Sequence, residues 1–334
     1  MKRRFILAPV AALAQVASAC GTGDDPGADG EWPDELVLTL TPSREQQQLI
    51  ETAEPLARML EERLNAHPQA PEGGITIRSS VPTDYAGVIV ALESGTADIS
   101  GGLGPLQMVQ AEAQANAQLI LQSERFGDYM YVTQWFTNDP DTFCDDEPVD
   151  VDGYLYCNGV DQATGPGDGP IGADAIARVA GQRVAFVDQG SASGHLVPSL
   201  QLFEAGIDPV DGVEGIYAGG HDNAVLAVYR GDAEVGVSFN DARGNVVDQF
   251  EDVGQEVVVF AWSFPIPNDG FAVSSTMSDD LREAVIEAFE DIAATDEGVE
   301  LLQSLYNIDG LVSVDSAVYD PIRTLVAELS DLLE

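Results

Sequence analysis

The residues best suited to chemistry lie in one turn, Gly190-Ser-Ala-Ser-Gly194, which follows a buried-strand pattern and precedes an amphipathic helix. Two hydroxyl groups, those of Ser191 and Ser193, would stand at the helix N-terminus beside backbone N–H groups that have no helical partner. These donors and the positive end of the helix dipole favour a negatively charged group. The turn therefore predicts an oxyanion site, although the same serines would also serve as simple helix caps.

The charge balance limits the partners of the chain. Asp and Glu number 57 against 14 Lys and Arg, a net charge of −43, so nucleic acid is not expected as a partner. The hydrophobic fraction of 45% is that of a folded protein. An acidic surface of this kind suits a saline habitat, where salt screens its self-repulsion, but a lineage-wide bias against lysine would give the same composition.

The N-terminus has the order of a secretory signal: Met1-Lys-Arg-Arg4, an apolar run to Val16, then Ala17-Ser-Ala-Cys20. We predict a signal peptide over residues 1–19 and a flexible tether over residues 20–34. Cys20 is a candidate for a lipid anchor, because the other two cysteines can pair and leave it unmatched. The alternatives are a lipoprotein on the outer face of the cytoplasmic membrane and a protein released into the periplasm.

The elements that must position the serine turn alternate along the chain. Apolar residues recur with period two over residues 35–40 and with helical period over residues 45–64, and the alternation continues afterwards. This pattern predicts an α/β fold with mixed sheets flanked by helices. We expect two lobes: residues 35–130 and 257–334 in lobe 1, and residues 131–256 in lobe 2.

A cysteine-bearing insertion interrupts the alternation at residues 138–169, where Asp, Pro and Gly dominate. Cys144 and Cys157 are expected to form a disulfide there, because an exported protein meets an oxidising environment. A zinc site is the competing interpretation, but none of the three histidines lies in this segment. We therefore expect no metal and no cofactor.

Five motifs, taken together and in order, resemble one family over roughly residues 35–296. They are Asp84-Tyr-Ala-Gly-Val-Ile89, Ala97-Asp-Ile99 with Gly104-Pro105, Phe186-Val-Asp-Gln-Gly-Ser-Ala-Ser-Gly194, Gly219-Gly-His-Asp-Asn223 and Pro265-Ile-Pro-Asn-Asp269. The chain resembles the substrate-binding proteins of phosphate, phosphite and phosphonate ABC transporters, the PhnD-like group of type II periplasmic binding proteins. The resemblance implies a ligand held between two closing lobes.

The resemblance also implies ligand-binding roles for eight positions, which are Tyr85, Tyr129, Ser191, Ala192, Ser193, His221, Asp241 and Asp269. The tyrosines would donate phenolic hydrogen bonds or wall the pocket, and the serines with the Ala192 N–H would hold oxyanion oxygens. His221 would donate as a histidinium or as a neutral ring. The two aspartates would accept a hydrogen bond from a P–OH group and so select against sulfate.

Three positions depart from the family pattern. Ala192 replaces a third hydroxyl residue, and His195 replaces an aromatic, either as a second donor or as a helix-surface residue. The loop Ser100-Gly-Gly-Leu-Gly-Pro105 lacks an aromatic, which predicts a wider pocket suited to a substituted phosphonate.

The resemblance implies a monomeric, non-enzymatic binding protein that delivers a phosphorus oxyanion to an ABC permease in the cytoplasmic membrane. A secreted serine hydrolase is the main alternative, with Ser191 or Ser193 as nucleophile and His221 as base. The sequence of the turn argues against a hydrolase. Ala192 occupies the central position of residues 190–194, where the G-x-S-x-G pattern of hydrolases has its nucleophilic serine. A binding protein or sensor for another small solute is the third possibility.

Overall fold

The computed structural model describes residues 31–160 and 169–333, which form two lobes, each built on its own β-sheet. The predicted signal peptide, Cys20 and residues 161–168 of the predicted insertion lie outside the described residues. Trp32 is buried in the core of the first lobe, where its indole donates to Asp280 at 3.1 Å. The predicted tether therefore ends earlier than residue 34, because Trp32 is already packed.

Fifteen strands and ten α-helices make up the described chain. The strands are β1 (Glu35–Leu40), β2 (Thr76–Ser80), β3 (Ile99–Leu103), β4 (Gln118–Glu124), β5 (Met130–Tyr131), β6 (Thr133–Thr137), β7 (Val149–Val151), β8 (Tyr154–Tyr156), β9 (Arg183–Phe186), β10 (Glu214–Tyr217), β11 (Val235–Phe239), β12 (Val258–Trp262), β13 (Ile266–Pro267), β14 (Gly270–Val273) and β15 (Gly310–Ser313). The helices are α1 (Gln46–Ala66), α2 (Tyr85–Glu93), α3 (Pro105–Ala115), α4 (Pro140–Phe143), α5 (Val197–Glu204), α6 (His221–Tyr229), α7 (Val253–Glu256), α8 (Asp279–Ala293), α9 (Asp296–Tyr306) and α10 (Asp320–Leu333).

The first lobe contains a six-stranded sheet in the order β15-β4-β14-β3-β1-β2. β1 is parallel to β2 and β3, while β14 is antiparallel to both β3 and β4. β4 therefore runs in the same direction as β1 and β3, and the carboxyl ends of these three strands share one edge. Leu36 and Leu38 of β1 are buried with Leu49, Leu56 and Leu60 of α1, so the helical spacing of α1 forms one wall of this core.

The second lobe contains a seven-stranded sheet in the order β10-β9-β11-β6-β12-β8-β7. β9 is parallel to β10 and β11, so the carboxyl ends of these strands again share an edge. The hairpin of β7 and β8 extends the other end of the sheet through the pairing of β8 with β12. The predicted disulfide between Cys144 and Cys157 is present and links the two ends of this hairpin segment.

The chain crosses between the lobes at two adjacent strands. β5 and β13 pair with each other, with Tyr131 opposite Ile266. The apolar strand predicted to return to the first lobe, residues 256–264, instead contributes β12 to the second sheet, beside β6. The first lobe thus resumes after β13 rather than at residue 257, and the β5–β13 pair holds the two crossings of the chain side by side.

The C-terminal helix α10 bridges the lobes, because it packs against α3 of the first lobe and α5 of the second. Within residues 31–160 and 169–333, no helix combines the length and the apolar composition that a bilayer span requires.

Candidate functional site

A cavity of about 50 Å³ lies between the two lobes. It forms where carboxyl ends of parallel strands in both sheets meet, which is the usual place for a ligand in open α/β sheets. Thr41 and Gly104 follow β1 and β3, Arg125 follows β4, and Phe239 ends β11. The lining residues are Thr41, Ser43, Arg44, Tyr85, Gly102, Gly104, Arg125, Tyr131, Ser191, Ala192, Ser193, His221, Phe239, Asp269 and Tyr306.

The serine turn contributes three lining residues from the second lobe. Ser191, Ala192 and Ser193 are all buried, and they open a single wide helical turn, Ala192–Leu196, that leads into α5. Ser191 Oγ accepts a hydrogen bond from the Gly194 N–H at 3.0 Å, so it caps this turn. Its hydroxyl proton remains available to an anion, which means that capping and ligand binding are compatible.

Tyr85 brings a hydroxyl group from the first lobe. It begins α2, whose N-terminus is capped by Asp84 Oδ1 accepting from the Gly87 N–H at 2.8 Å. The Tyr85 hydroxyl is buried with the Ser43 side chain as a polar neighbour, and no hydrogen bond of good geometry holds it among the described residues. Burial, with Asp188 nearby, holds the pKa of Tyr85 well above its usual value, so the group remains a proton donor. A buried donor that lines a cavity is poised for a ligand.

His221 joins the two lobes at the cavity. Its backbone N–H donates to the Ser43 carbonyl oxygen at 3.0 Å, and its Nδ1 lies 2.7 Å from Ser238 Oγ. Burial, with Arg125 and Arg44 nearby, lowers the pKa of the ring to about 3. Of the two states considered from the sequence, the neutral ring is therefore the one present at neutral pH, and its Nε2 can donate when Ser238 donates to Nδ1.

The low pKa of His221 predicts a loss of stability in acid. An unfolded chain protonates this ring near pH 6.5, whereas the folded chain resists protonation until about pH 3. The free energy of unfolding should therefore fall as the pH falls through this window, by about 2 kcal/mol between pH 7 and pH 5 from this group. Urea unfolding of the wild type and of His221→Gln at both pH values checks this, since the variant should lose less stability. Equal losses would show that His221 is not the group responsible.

Two arginines that the sequence analysis did not identify also line the cavity. Arg44 Nη1 donates to the Ser304 carbonyl oxygen at 3.1 Å and Nη2 to Asn245 Oδ1 at 3.3 Å, the latter across the cleft. Burial lowers the pKa of Arg44 to about 10, with Asp222 opposing the shift, so it remains a cation at neutral pH. Arg125 Nη2 lies 2.7 Å from Asp269 Oδ1. The cavity is therefore lined by two cations, although the chain as a whole has only 14 Lys and Arg against 57 Asp and Glu.

Asp269 lies between β13 and β14 at the edge of the first sheet and lines the cavity beside Arg125. Burial raises the pKa of this carboxyl group, and Arg125 opposes that shift. Its carboxylate contacts Arg125 Nη2 through Oδ1, and the Ser123 side chain is a second polar neighbour. The carboxylate is thus an acceptor held in a cavity that otherwise contains donors, the arrangement that suits a protonated oxyanion oxygen.

Two of the eight predicted residues lie outside the cavity. Tyr129 is partly exposed, and its hydroxyl donates to Glu124 Oε2 at 3.1 Å in the turn before β5, while Tyr131 of β5 lines the cavity instead. Asp241 accepts from Arg243 and from the Tyr156 hydroxyl, at 2.6 Å and 2.8 Å, within the second lobe. Both carboxylate oxygens of Asp241 accept hydrogen bonds within the second lobe, and Asp241 does not line the cavity.

His195 is a helix residue outside the cavity, one of the two possibilities raised by the sequence. Its Nε2 lies 2.9 Å from the Tyr217 hydroxyl, and its ring meets Phe186 edge-on. The pocket is also not widened by the missing aromatic of the 100–105 loop. The ring of Tyr306, which ends α9, occupies the space in front of Gly102.

The described part of the chain holds no cluster of three or more His, Cys, Asp or Glu side chains placed to bind a metal ion. The polar groups that converge on the cavity are instead hydrogen-bond donors, two cations and one carboxylate.

Comparison with known proteins places the chain among transport components. The sequence model of the family described as "ABC transporter, phosphonate, periplasmic substrate-binding protein" matches residues 38–319. The phosphate-import protein PhnD of Mycolicibacterium smegmatis is 25% identical over 338 residues, covering 95% of this chain and 94% of that protein.

Solved structures share the fold. A binding protein component of an ABC phosphonate transporter from Pseudomonas aeruginosa superposes with a TM-score of 0.68 at 18% identity, covering 87% of this chain and 85% of that one. PhnD1 from Prochlorococcus marinus, in complex with methylphosphonate, gives a TM-score of 0.71 at 14% identity, covering 89% and 98%. These similarities confirm the predicted two-lobed α/β architecture.

Proposed function

Given that this chain belongs to the family of periplasmic substrate-binding proteins of phosphonate ABC transporters, we propose that it captures a phosphorus oxyanion in the cavity between its lobes. It then delivers this ligand to a permease in the cytoplasmic membrane. The observation that carries the proposal is the convergence of Arg44, Arg125, the buried Tyr85 hydroxyl and the serine turn on one small cavity.

The cavity residues are expected to contribute to ligand binding in different ways. The two arginines supply the positive charge, and hydrogen bonds from charged donors are about twice as strong as neutral ones. Tyr85, the hydroxyls of the serine turn and the backbone N–H groups that begin its helix add neutral donors. Asp269 accepts from a P–OH group. Because sulfate has no such proton at neutral pH, we infer that the site discriminates against it.

Phosphate is our first candidate ligand. A relative that is 25% identical over nearly the full chain imports phosphate. A cavity of about 50 Å³ also suits a small tetrahedral ion, since one water needs about 10–15 Å³ of such space. Phosphite and simple phosphonates carry the same oxyanion chemistry and differ in one substituent.

Calorimetric titration tests the proposal. The mature chain, in high salt, is titrated with phosphate, phosphite, methylphosphonate, 2-aminoethylphosphonate and sulfate. We expect micromolar or tighter binding of at least one phosphorus ligand, phosphate above all, and no heat from sulfate. Silence from every phosphorus ligand would contradict the proposal.

The Ser193 hydroxyl is expected to contribute directly to affinity. Replacing Ser193 by Ala should weaken phosphate binding by about 1.5–3 kcal/mol, because its hydroxyl would bond a charged oxygen. Ser199→Ala is the matched control: Ser199 lies in α5, outside the cavity, and its hydroxyl donates to the His195 carbonyl oxygen. Equal affinities for Ser193→Ala and the wild type, measured by the same titration, would limit Ser193 to a structural part.

We infer that the protein binds without catalysis. A Ser–His pair is the minimum that the hydrolase alternative needs, and among the described residues neither Ser191 nor Ser193 forms a hydrogen bond with His221, whose Nδ1 lies 2.7 Å from Ser238 Oγ. A screen with ester substrates tests this, and turnover that is lost in both Ser193→Ala and His221→Gln would restore the hydrolase alternative.

We further propose that the exported chain is anchored by a lipid on Cys20, with the tether reaching from the membrane to Trp32. Mass spectrometry of the purified membrane fraction would detect the lipidated N-terminal peptide. A mature N-terminus at Cys20 without lipid would exclude the anchor.

A further inference from the structure

We propose that Tyr306 limits the ligand to a phosphorus oxyanion without a bulky organic substituent, such as phosphate or phosphite. This inference rests on the proposed function and names the ligand class within it. It also reverses the sequence expectation, in which the absence of an aromatic from the 100–105 loop predicted room for a substituted phosphonate.

The contact between Tyr306 and Gly102 is what closes the pocket. A Cβ atom placed on Gly102 would overlap Cε2 and Cζ of the Tyr306 ring. The φ angle of Gly102 is also +66°, a conformation that side chains other than glycine rarely adopt. The ring therefore lies directly against the backbone of the loop, and it takes the place that a side chain of the loop would otherwise occupy.

Tyr306 is held firmly in this position. Its hydroxyl donates to the Thr41 carbonyl oxygen at 2.8 Å, and its side chain is buried in the core of the first lobe. Burial raises the pKa of Tyr306, so the hydroxyl keeps its one proton and commits it to Thr41. No proton is left for an oxyanion. Tyr306 therefore acts at the cavity by filling space.

The polar sides of the cavity offer no place for an organic substituent. Arg44, Arg125, Tyr85 and Ser193 present polar groups that a tetrahedral anion would satisfy with its oxygens, and Asp269 takes a P–OH. An organic substituent pointed at any of them would leave a buried donor or charge unpaired, which is costly.

A second cavity of about 110 Å³ lies beyond Arg125, Tyr131 and Phe239, which line both spaces. A substituent would reach it only by separating this wall, and Arg125 is held by its ion pair with Asp269. The ion pair therefore opposes the passage of a substituent from the first cavity into the second.

The test compares phosphate with 2-aminoethylphosphonate on the folded, mature chain. The wild type should bind phosphate roughly 100-fold more tightly than 2-aminoethylphosphonate. Forcing extra methylene groups into a filled site lowers affinity by about ten- to one-hundredfold. Tyr306→Leu should reduce this ratio at least about tenfold by opening space. Tyr306→Phe keeps the ring and loses only the bond to Thr41, so its ratio should match the wild type. Thermal melts confirm that each variant is folded, and Tyr306→Met replaces the leucine variant if that chain does not fold.

The outcomes separate this inference from the proposed function. Equal affinity of the wild type for both ligands would overturn the size limit and leave the function standing. A ratio unchanged in the folded Tyr306→Leu or Tyr306→Met chain would overturn the part assigned to Tyr306. Failure of every phosphorus ligand to bind the wild type would overturn both.

Discussion

Asp269→Asn is expected to remove most of the discrimination between phosphate and sulfate. We expect the wild type to prefer phosphate over sulfate by about 10³-fold or more. A site built to hydrogen-bond one group of its ligand strongly rejects an analogue without that group. An asparagine amide can turn its NH₂ group toward an unprotonated oxygen, so the preference should fall to about tenfold. Calorimetric titration of both proteins with both anions measures this ratio.

Asp241→Asn is the control for this experiment. Asp241 was predicted from the sequence together with Asp269, yet it pairs with Arg243 outside the cavity. Its replacement should lower the melting temperature, because the buried Arg243 loses its charged partner. The phosphate-to-sulfate ratio should not change. A wild-type preference that persists in Asp269→Asn would show that another group reads the ligand proton.

Arg125→Gln is expected to weaken phosphate binding by about 10²–10³-fold. The variant loses a hydrogen bond between charged groups, and it leaves Asp269 buried without its cation. The double variant Arg125→Gln with Asp269→Asn should recover part of this loss, because removing both charges avoids an unpaired carboxylate.

Arg178→Gln provides the matched control for the arginine experiment. Arg178 forms a partly exposed ion pair with Asp145 on the second lobe, and neither residue lines the cavity. Exposed pairs of this kind contribute about 0–1 kcal/mol to stability, and this one should not affect affinity. Phosphate affinity within a factor of about two of the wild type in Arg125→Gln would contradict a direct contact between Arg125 and the ligand.

The features that were predictable from the sequence are those carried by local patterns. The strand, serine turn and helix around Ser191 and Ser193 follow from hydrophobic periodicity and turn chemistry, and the structure brings both residues to the cavity. Tyr85, His221 and Asp269, identified through motifs, also line it. The α/β architecture follows from the alternation of the two periods.

The features that were missed depend on contacts between distant segments. Arg125 follows β4, a strand that the sequence analysis did not identify, so its position at a strand end had no signal. Arg44 lies shortly after the strand predicted over residues 35–40. Its position near the carboxyl end of a strand could have identified it as a candidate ligand-binding residue. Tyr306 contacts Gly102 from the far end of the chain, and no local spacing reports such a pair.

Tyr129 and Asp241 show the limit of assigning residues from a motif alone. Each has a suitable side chain and lies close in sequence to residues that line the cavity. Its polar group is nevertheless bound to another side chain, Glu124 for Tyr129 and Arg243 for Asp241. Only the arrangement of the neighbouring side chains decides whether such a group is free for a ligand.

The most direct test of the account is a crystal structure of the mature chain grown with phosphate. We expect tetrahedral density between the lobes, within hydrogen-bond distance of Arg44, Arg125 and the Ser193 hydroxyl, with one oxygen against Asp269. Density for phosphate elsewhere on the protein, with this cavity occupied by water alone, would contradict the assignment of the cleft as the oxyanion site.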